Sequence, residues 1–208
     1  MIDILMIFVA FVLGYLLGSV NTSVIVGRKY GQDIKSLGSK SAGLTNVHRV
    51  LGKSAAAFVL IGDILKGLIA CIIGLAIGVY FYWGGVQEPV SLLAAGAGAI
   101  IGHNWPIYFG FKGGKGGLTG LTVLFMINWV MALLCLVIFI IIIVLTRYVS
   151  LGTICGTLLF AILSFVPIFR TPTLYFNVFS VLIAFIIIIK HRANIKRLLS
   201  GTENKLVF

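Results

Sequence analysis

Polar residues in this chain are concentrated in three short segments, at 38–53, 102–117 and 190–205. The first holds Ser39, Asn46 and Arg49 among glycines and hydroxyl residues. Backbone N–H groups can approach an anion closely where side chains are small, and the arginine guanidinium is always charged. We therefore count these three residues as candidate phosphate ligands. Taken alone, however, the segment is more typical of a solvated basic loop of a membrane protein.

The second segment is a run of glycines around one lysine. Gly113, Gly114 and Gly116 flank Lys115, so the backbone can wrap around a ligand with several acceptors while the ammonium acts as a point charge. The spacing does not match the P-loop of nucleotide hydrolases, in which a hydroxyl residue follows the lysine. We predict a phosphate cradle here and include the neighbouring Lys112 in it. A flexible re-entrant loop is the alternative.

Two histidines are candidates for binding a ligand or transferring a proton. His103 ends an apolar run just before Pro106, and a ligand contact and a structural role at a helix end suit that position equally. His191 and Asn194 are three residues apart, so they share a face if the preceding helix continues. Histidine can transfer protons at neutral pH. An amphipathic tail at the lipid headgroups explains the basic residues nearby, but it explains this pair less well.

The composition indicates that a membrane surrounds these segments. Of 208 residues, 60% are hydrophobic and 10% charged, with a mean hydropathy of +1.15, whereas a soluble domain is about 45–50% apolar and about 25% charged. Sixteen basic against five acidic residues would suggest nucleic acid in a soluble protein. Here they belong to short loops, and no nucleic acid is expected. The three cysteines lie in apolar runs without metal-ligand spacing, so no metal site is predicted.

Six apolar runs approach the roughly 20 residues that cross a bilayer: 3–26, 54–82, 91–109, 118–146, 149–169 and 173–190. Basic clusters follow the first run and the last, and short cytoplasmic loops carry such clusters, so both should lie on one side. Six crossings would separate them, whereas a turn near Asn128 that makes the fourth run cross twice reunites them. We predict an all-α integral membrane protein with about seven transmembrane helices, in a single domain over 1–208. Its N-terminus and the 83–90 loop lie outside and its C-terminus is cytoplasmic.

One pair of opposite charges lies inside an apolar run. Asp63 and Lys66 are one helical turn apart, and charges within a membrane normally pair or face the bundle interior. We interpret them as neutralising each other and bracing the bundle below the polar segments. A proton relay would need more titratable residues at that depth.

Several motifs, in order along nearly the whole chain, resemble the PlsY family of bacterial acyl-phosphate:glycerol-3-phosphate acyltransferases. The matching stretches are GS at 18–19, GS-x-x-x-G-x-TN-x-x-R at 38–49, D-x-x-K-G at 63–67, GH-x-x-P-x-x-x-x-F-K-GGKG at 102–116, RYVSL at 147–151 and HR-x-NI-x-RLL-x-G-x-E at 191–203. The resemblance implies a seven-helix bundle in the bacterial inner (plasma) membrane, with its active site at the cytoplasmic face. It implies transfer of a fatty acyl group from acyl phosphate to the 1-hydroxyl of glycerol 3-phosphate. The products are lysophosphatidic acid and phosphate, and no metal or coenzyme takes part.

By this resemblance, the catalytic residues fall on Ser39, Arg49, Lys115, His191 and Asn194. Arg49 and Lys115 would bind phosphate and stabilise developing charge, and Ser39 would hydrogen-bond a phosphate. Asn194 would bind the glycerol end, while His191 would position the acceptor or take its proton. The donor's own phosphate could take that proton instead. Implied partners are the two substrates, membrane lipid and the synthase that supplies acyl phosphate.

The stretch after Ser39 departs from the family. Lys40-Ser41 stand where the family usually has glycine and asparagine, which changes backbone freedom and hydrogen bonding there. A divergent paralogue with another phosphorylated acceptor or weak activity is therefore an alternative. A small transporter of phosphorylated metabolites is a second alternative, although transporters usually place polar residues near mid-membrane. A regulatory partner with an inactive site is a third.

Overall fold

The computed structural model describes residues 2–81, 90–169 and 173–206; all but the last residue of the predicted 83–90 loop lies outside them. Within these ranges the chain forms α-helices, one short 3-10 helix at Ile107–Phe109 and no strand. The α-helices are α1 (Ile2–Gly18), α2 (Thr22–Lys29), α3 (Leu44–Leu51), α4 (Lys53–Phe81), α5 (Val90–Asn104), α6 (Gly117–Ile127), α7 (Trp129–Thr146), α8 (Val149–Leu163), α9 (Leu174–Lys190) and α10 (Arg192–Leu199). The prediction of an all-α fold is confirmed for this part of the chain.

The described helices include several that are long and apolar enough to cross a membrane. Three stretches meet that condition: Ile4–Lys29, Lys53–Tyr80 and Trp129–Thr146. The pair α9 and α10, bent by 60° at the break between them, makes a fourth if it is counted as one span. The apolar helices α6 and α8 are shorter, with 11 and 15 residues. The count of seven spans and the orientation of the termini stay predictions.

The chain comprises two compact units, Met1–Met126 and Ile127–Phe208. In the first unit, α1 and α5 cross closely through small residues. A Cβ on Gly18 would collide with the Ala99 carbonyl, and one on Gly102 with the Tyr15 carbonyl. Glycine allows such close backbone approach in a membrane, where helices gain little from burying apolar side chains against each other.

The second unit packs α7, α8 and α9 through aromatic and small side chains. Phe160 of α8 meets Phe176 and Phe179 of α9 edge-on, at centroid distances of 6.0 and 6.3 Å. Gly156 of α8 faces the Cys135 carbonyl of α7. After α10 the chain returns to the start of α8, where the Leu206 amide donates to the Arg147 carbonyl at 2.7 Å.

Two apolar runs are interrupted. The run 118–146 breaks at Asn128, where the side-chain Oδ1 accepts from the Met131 amide at 3.0 Å and caps α7. The break is where the charge argument predicted a turn, and α6 is only about 16 Å long at 1.5 Å per residue. The run 3–26, which the sequence suggests is one helix, instead divides after Gly18. Asn21 begins α2 by accepting from the Val24 amide at 3.1 Å.

Candidate active site

The loop before α3 is held by an apolar cluster beneath it. Ile34 of the loop and Val47 of α3 are almost fully buried, together with Val26 and Val59. Two residues beyond Val47, Arg49 falls on the opposite side of the helix and is exposed. The predicted phosphate ligand Arg49 is therefore presented on the polar face of a helix whose apolar face is anchored.

Asn46 organises this loop from within. Its Oδ1 accepts from the Ser39 amide at 2.8 Å, and its Nδ2 donates to the Ile34 and Leu37 carbonyls at 3.0 Å each. Gly38 has φ +55, and a Cβ there would strike Asn46 Oδ1. Both amide hydrogens of Asn46 are thus committed to the loop that carries Ser39. Its role as a phosphate ligand stays a prediction.

The glycine-rich loop packs against His103 and the loop before α3. The Gly114 amide donates to the His103 carbonyl at 3.0 Å. A Cβ on Gly114 would collide with His103 Nε2 and lie 2.6 Å from the Ala42 carbonyl, and one on Gly113 would collide with the His103 carbonyl. A larger residue would therefore separate the two loops. The structure thus brings the first two polar segments together at Ala42, His103 and Gly114.

Lys115 lies just before a helix N-terminus. It is half-buried, α6 begins two residues later at Gly117, and the Gly120 amide donates to the Gly116 carbonyl at 2.7 Å. Gly116 has φ +80, a conformation that glycine adopts without steric cost. Lys112 is exposed on the approach to the loop. Backbone N–H groups at a helix N-terminus with an adjacent ammonium favour an anion such as phosphate.

The ion pair within α4 includes His103. Lys66 Nζ lies 2.8 Å from Asp63 Oδ1 and 2.8 Å from His103 Nδ1, and it donates to the Val20 carbonyl at 3.2 Å. The Thr22 hydroxyl donates to Asp63 Oδ1 at 3.4 Å. The predicted pairing of Asp63 with Lys66 is therefore present. Its extension to His103 was not predicted, because the residues lie 37 positions apart.

In the second unit, His191 lies between α9 and α10 and is 3% exposed. Its Nδ1 is 2.8 Å from the Ile187 carbonyl oxygen. A carbonyl can only accept, so Nδ1 carries the hydrogen, and in the neutral ring the lone pair is on Nε2. That tautomer suits a group that accepts a proton or a hydrogen bond through Nε2.

Asn194 is oriented by the carboxylate of Glu203, which was not among the predicted site residues. Glu203 Oε1 accepts from Asn194 Nδ2 at 2.7 Å and from the Ser150 hydroxyl at 3.0 Å, while Oε2 accepts from Arg197 Nε at 2.7 Å. Because a carboxylate only accepts, Nδ2 must face it. The Oδ1 of Asn194 is buried and has no hydrogen-bond partner among the residues that the structure describes, so it can accept from a ligand.

Burial and hydrogen bonding act in opposite directions on Glu203. The side chain is 6% exposed, and burial alone would raise its pKa. The hydrogen bonds from Asn194, Arg197 and Ser150, with the charge of Arg197, outweigh burial and hold the pKa below its ordinary value of 4.5. Glu203 is therefore a carboxylate at neutral pH. The signal for it in the sequence is its place at the end of the last polar segment, as one of five acidic residues.

Comparisons with known proteins show which family this chain resembles. Residues 8–201 match the family described as glycerol-3-phosphate acyltransferase. The chain is 43% identical to the glycerol-3-phosphate acyltransferase of Thermoanaerobacter pseudethanolicus over 197 residues, which are 94% of this chain and 93% of that protein. It is 46% identical to the enzyme of that name from Halalkalibacterium halodurans, over 92% of this chain and 91% of that protein.

Solved structures share the fold. The glycerol 3-phosphate form of PlsY, an integral membrane glycerol 3-phosphate acyltransferase, has a TM-score of 0.85 at 33% identity, covering 97% of this chain and 96% of that one. Its lysophosphatidic acid form has a TM-score of 0.81 at 34% identity, covering 97% and 95%. The resemblance drawn from the ordered motifs is confirmed: the chain belongs to the PlsY family of glycerol-3-phosphate acyltransferases.

Proposed function

We propose that this protein transfers a fatty acyl group from acyl phosphate to the 1-hydroxyl of glycerol 3-phosphate at the cytoplasmic face of the bacterial cell membrane. The acyl–phosphate C–O bond breaks, an ester C–O bond forms, and the hydroxyl proton leaves to a base. Lysophosphatidic acid and phosphate are the products. The observation that carries this proposal is the glycine-rich loop, packed where larger residues would collide, with Lys115 just before the N-terminus of α6.

The donor determines what the protein has to supply. An acyl phosphate is already activated, so most of the rate enhancement can come from holding two anions together and orienting the hydroxyl. Arg49 and Lys115 bind phosphate and stabilise the charge that develops on the leaving group. Ser39 donates to a phosphate oxygen from a loop that Asn46 keeps in shape. Basic side chains suit these tasks better than carboxylates.

The residues of the last segment act on the hydroxyl. Asn194 accepts a hydrogen bond from the glycerol moiety through Oδ1, which the carboxylate of Glu203 leaves available by binding Nδ2. His191 Nε2 accepts the hydroxyl proton, or positions the acceptor while the donor's phosphate takes the proton. In both schemes the Nδ1–H bond to Ile187 keeps the ring in the required tautomer.

The test uses the purified full-length protein in lipid bilayers. Palmitoyl phosphate is supplied with and without glycerol 3-phosphate, and phosphate and lysophosphatidic acid are both measured. We expect phosphate release that depends on the acceptor and matches the ester formed. Ester formed from palmitoyl-coenzyme A but not from palmitoyl phosphate would overturn the proposed donor. Release that responds only to another phosphorylated alcohol would overturn the proposed acceptor.

Lys115→Ala connects the reaction to the loop. Removing a cation that stabilises transition-state charge should lower kcat/KM by about 100-fold or more. Lys53→Ala is the matched control, because Lys53 is exposed at the start of α4 and has no proposed role. Equal activity of the two variants would contradict the assignment of Lys115.

A further inference from the structure

The buried ion pair of α4 is one part of a larger hydrogen-bonded group. Lys66 and Asp63 are 5% and 2% exposed, and His103 is 4% exposed. Lys66 Nζ has three acceptors around it: Asp63 Oδ1 at 2.8 Å, His103 Nδ1 at 2.8 Å and the Val20 carbonyl at 3.2 Å. An ammonium has three hydrogens to donate. Each acceptor therefore receives one.

The interruption of the first apolar run supplies one of these acceptors. Val20 lies between α1 and α2, where the helix is interrupted. The Val20 carbonyl instead accepts from Lys66 Nζ at 3.2 Å. The break between α1 and α2 therefore provides one of the three acceptors of Lys66.

These contacts decide the tautomer of His103. A ring nitrogen that accepts from an ammonium carries no hydrogen, so the neutral ring has its hydrogen on Nε2. The Thr119 hydroxyl, 3.5 Å from the same Nδ1, can also donate to it. On the other side of the ring, Nε2 and the Ala42 carbonyl both lie against the point where a Gly114 side chain would begin. An N–H on that side suits a neighbouring carbonyl oxygen, whereas a lone pair would repel it.

We propose that Lys66 is a positioning residue for the glycine-rich loop: it fixes the ring and the tautomer of His103, which sets the place of Gly114 and so of Lys115. Asp63 Oδ1, which is 3.7 Å from His103 Nδ1, holds the ammonium beside the ring. In this arrangement the charge pair positions the phosphate cradle and also stabilises the helix bundle. The expected effect on activity rests on the proposed function, but the expected tautomer does not.

The first experiment is nitrogen-15 NMR of the histidine-labelled, full-length protein in lipid. The chain has three histidines, and His103→Asn identifies the signals of position 103. We expect a hydrogen-free Nδ1 and a protonated Nε2 at His103. A hydrogen on Nδ1 would overturn the proposal by itself, whether or not the protein turns out to acylate glycerol 3-phosphate.

The second experiment compares two variants. Asp63→Asn/Lys66→Met removes both charges and the donor to His103, whereas Asp63→Asn alone keeps the Lys66 donor. If Lys66 positions the loop, the double variant should lose the single His103 tautomer and raise the KM for glycerol 3-phosphate or acyl phosphate by about tenfold, a typical cost of losing a residue that orients a ligand-binding group. Asp63→Asn should keep the tautomer and change KM less.

A pair that only neutralises charge predicts the reverse order. Asp63→Asn would then be the worse variant, because it leaves a buried ammonium without its carboxylate, whereas the double variant is neutral. A double variant with wild-type KM and an unchanged His103 spectrum would overturn the proposal. If the double variant does not fold, the wild-type spectrum decides: a hydrogen on Nδ1 of His103 contradicts the role given to Lys66.

Discussion

His103 and His191 are nearly equally buried, at 4% and 3% exposure, yet they are set up for opposite tasks. Nδ1 of His103 faces the ammonium of Lys66, whereas Nδ1 of His191 faces the Ile187 carbonyl. The first ring therefore carries its hydrogen on Nε2 and can donate from it, and the second can accept there. Burial and residue type do not separate the two histidines, but the partner of one ring nitrogen does.

The largest expected effect comes from replacing each histidine by asparagine. The asparagine amide can keep the contact made by Nδ1, as an acceptor from Lys66 or as a donor to Ile187, but it cannot replace Nε2. If Nε2 of His191 takes the proton, His191→Asn should lower kcat by roughly 10²- to 10⁴-fold. His103→Asn should mainly raise KM. Steady-state kinetics in lipid measures both, and a kcat for His191→Asn within twofold of wild type would show that the donor's phosphate is the base.

Gly114→Ala tests the packing of the glycine-rich loop against His103. The new Cβ would collide with His103 Nε2 and crowd the Ala42 carbonyl, so we expect at least a tenfold loss of kcat/KM and a loss of about 1–3 kcal/mol in stability from overpacking. Gly110→Ala is the matched control. Gly110 has φ +64 and open space around its Cα, so alanine there is strained by about 1–2 kcal/mol without contact to His103. Equal activities of the two variants would contradict the packing argument.

Glu203→Gln tests whether the carboxylate orients Asn194 beside His191. The carboxylate accepts from three side chains, and hydrogen bonds to a charged group are worth about 1.5–3 kcal/mol each. We expect a loss of about 2 kcal/mol in stability and about tenfold in kcat/KM, because the neutral amide also allows Asn194 to flip. Asp33→Asn, at an exposed carboxylate that accepts from the Lys35 amide, should change neither. A Glu203→Gln variant with wild-type kinetics would show that the Asn194 amide is oriented by other contacts.

The same carboxylate gives a pH dependence with a defined sign. The pKa of Glu203 in the folded protein is below its ordinary value of 4.5, so its contribution to stability is complete above 4.5 and is lost as the pH falls through the folded value. Thermal unfolding of wild type should therefore move to lower temperature on acidification below pH 4.5 more steeply than unfolding of Glu203→Gln. Parallel curves for the two proteins would count against the hydrogen-bonded carboxylate.

The smallest effect is expected at Lys40. This exposed residue has φ +56, a left-handed conformation that disfavours side chains with a Cβ. Lys40→Gly should raise stability by up to about 1 kcal/mol, since relief of strain exceeds the added entropy of the unfolded chain. Lys40→Ala should give no gain, because alanine also has a Cβ. An increase in melting temperature for both variants would assign the effect to the charge instead.

Two breaks in the apolar runs show how far the fold could be predicted. A turn near Asn128 was predicted from the charges of the flanking loops, and the helix breaks at that residue. The break at residues 19–21 was missed because residues 4–18 are apolar apart from Tyr15 and two glycines, and Ser19 alone does not end an apolar run before Val20. Hydropathy measures the composition of a run, whereas the position of this break depends on the contacts of its backbone, including the bond from the Val20 carbonyl to Lys66.

The candidate site likewise contains residues that the sequence analysis could select and one, Glu203, whose role only the structure shows. Lys115, with the glycines around it, and the pair His191 and Asn194 were singled out because polar residues are costly in so apolar a chain. Their roles in the reaction stay predictions. Glu203 ends the family motif at 191–203, but it was given no role, because nothing in the sequence indicates that three side chains donate to it. Those donors lie between 6 and 53 positions away along the chain, so their meeting depends on how α8 and α10 fold onto the last segment.

By itself, the sequence determined that this is a membrane-embedded helical protein, that its polar residues favour phosphate chemistry and, through its ordered motifs, that it resembles one acyltransferase family. Those conclusions depend only on residue type and spacing, because the hydrophobicity and charge of each residue follow from its type. The tertiary structure decided which atom of each polar side chain donates and which accepts. A histidine or an asparagine offers both roles, and only the neighbour brought to it by the fold, Lys66 for His103 or Glu203 for Asn194, selects one.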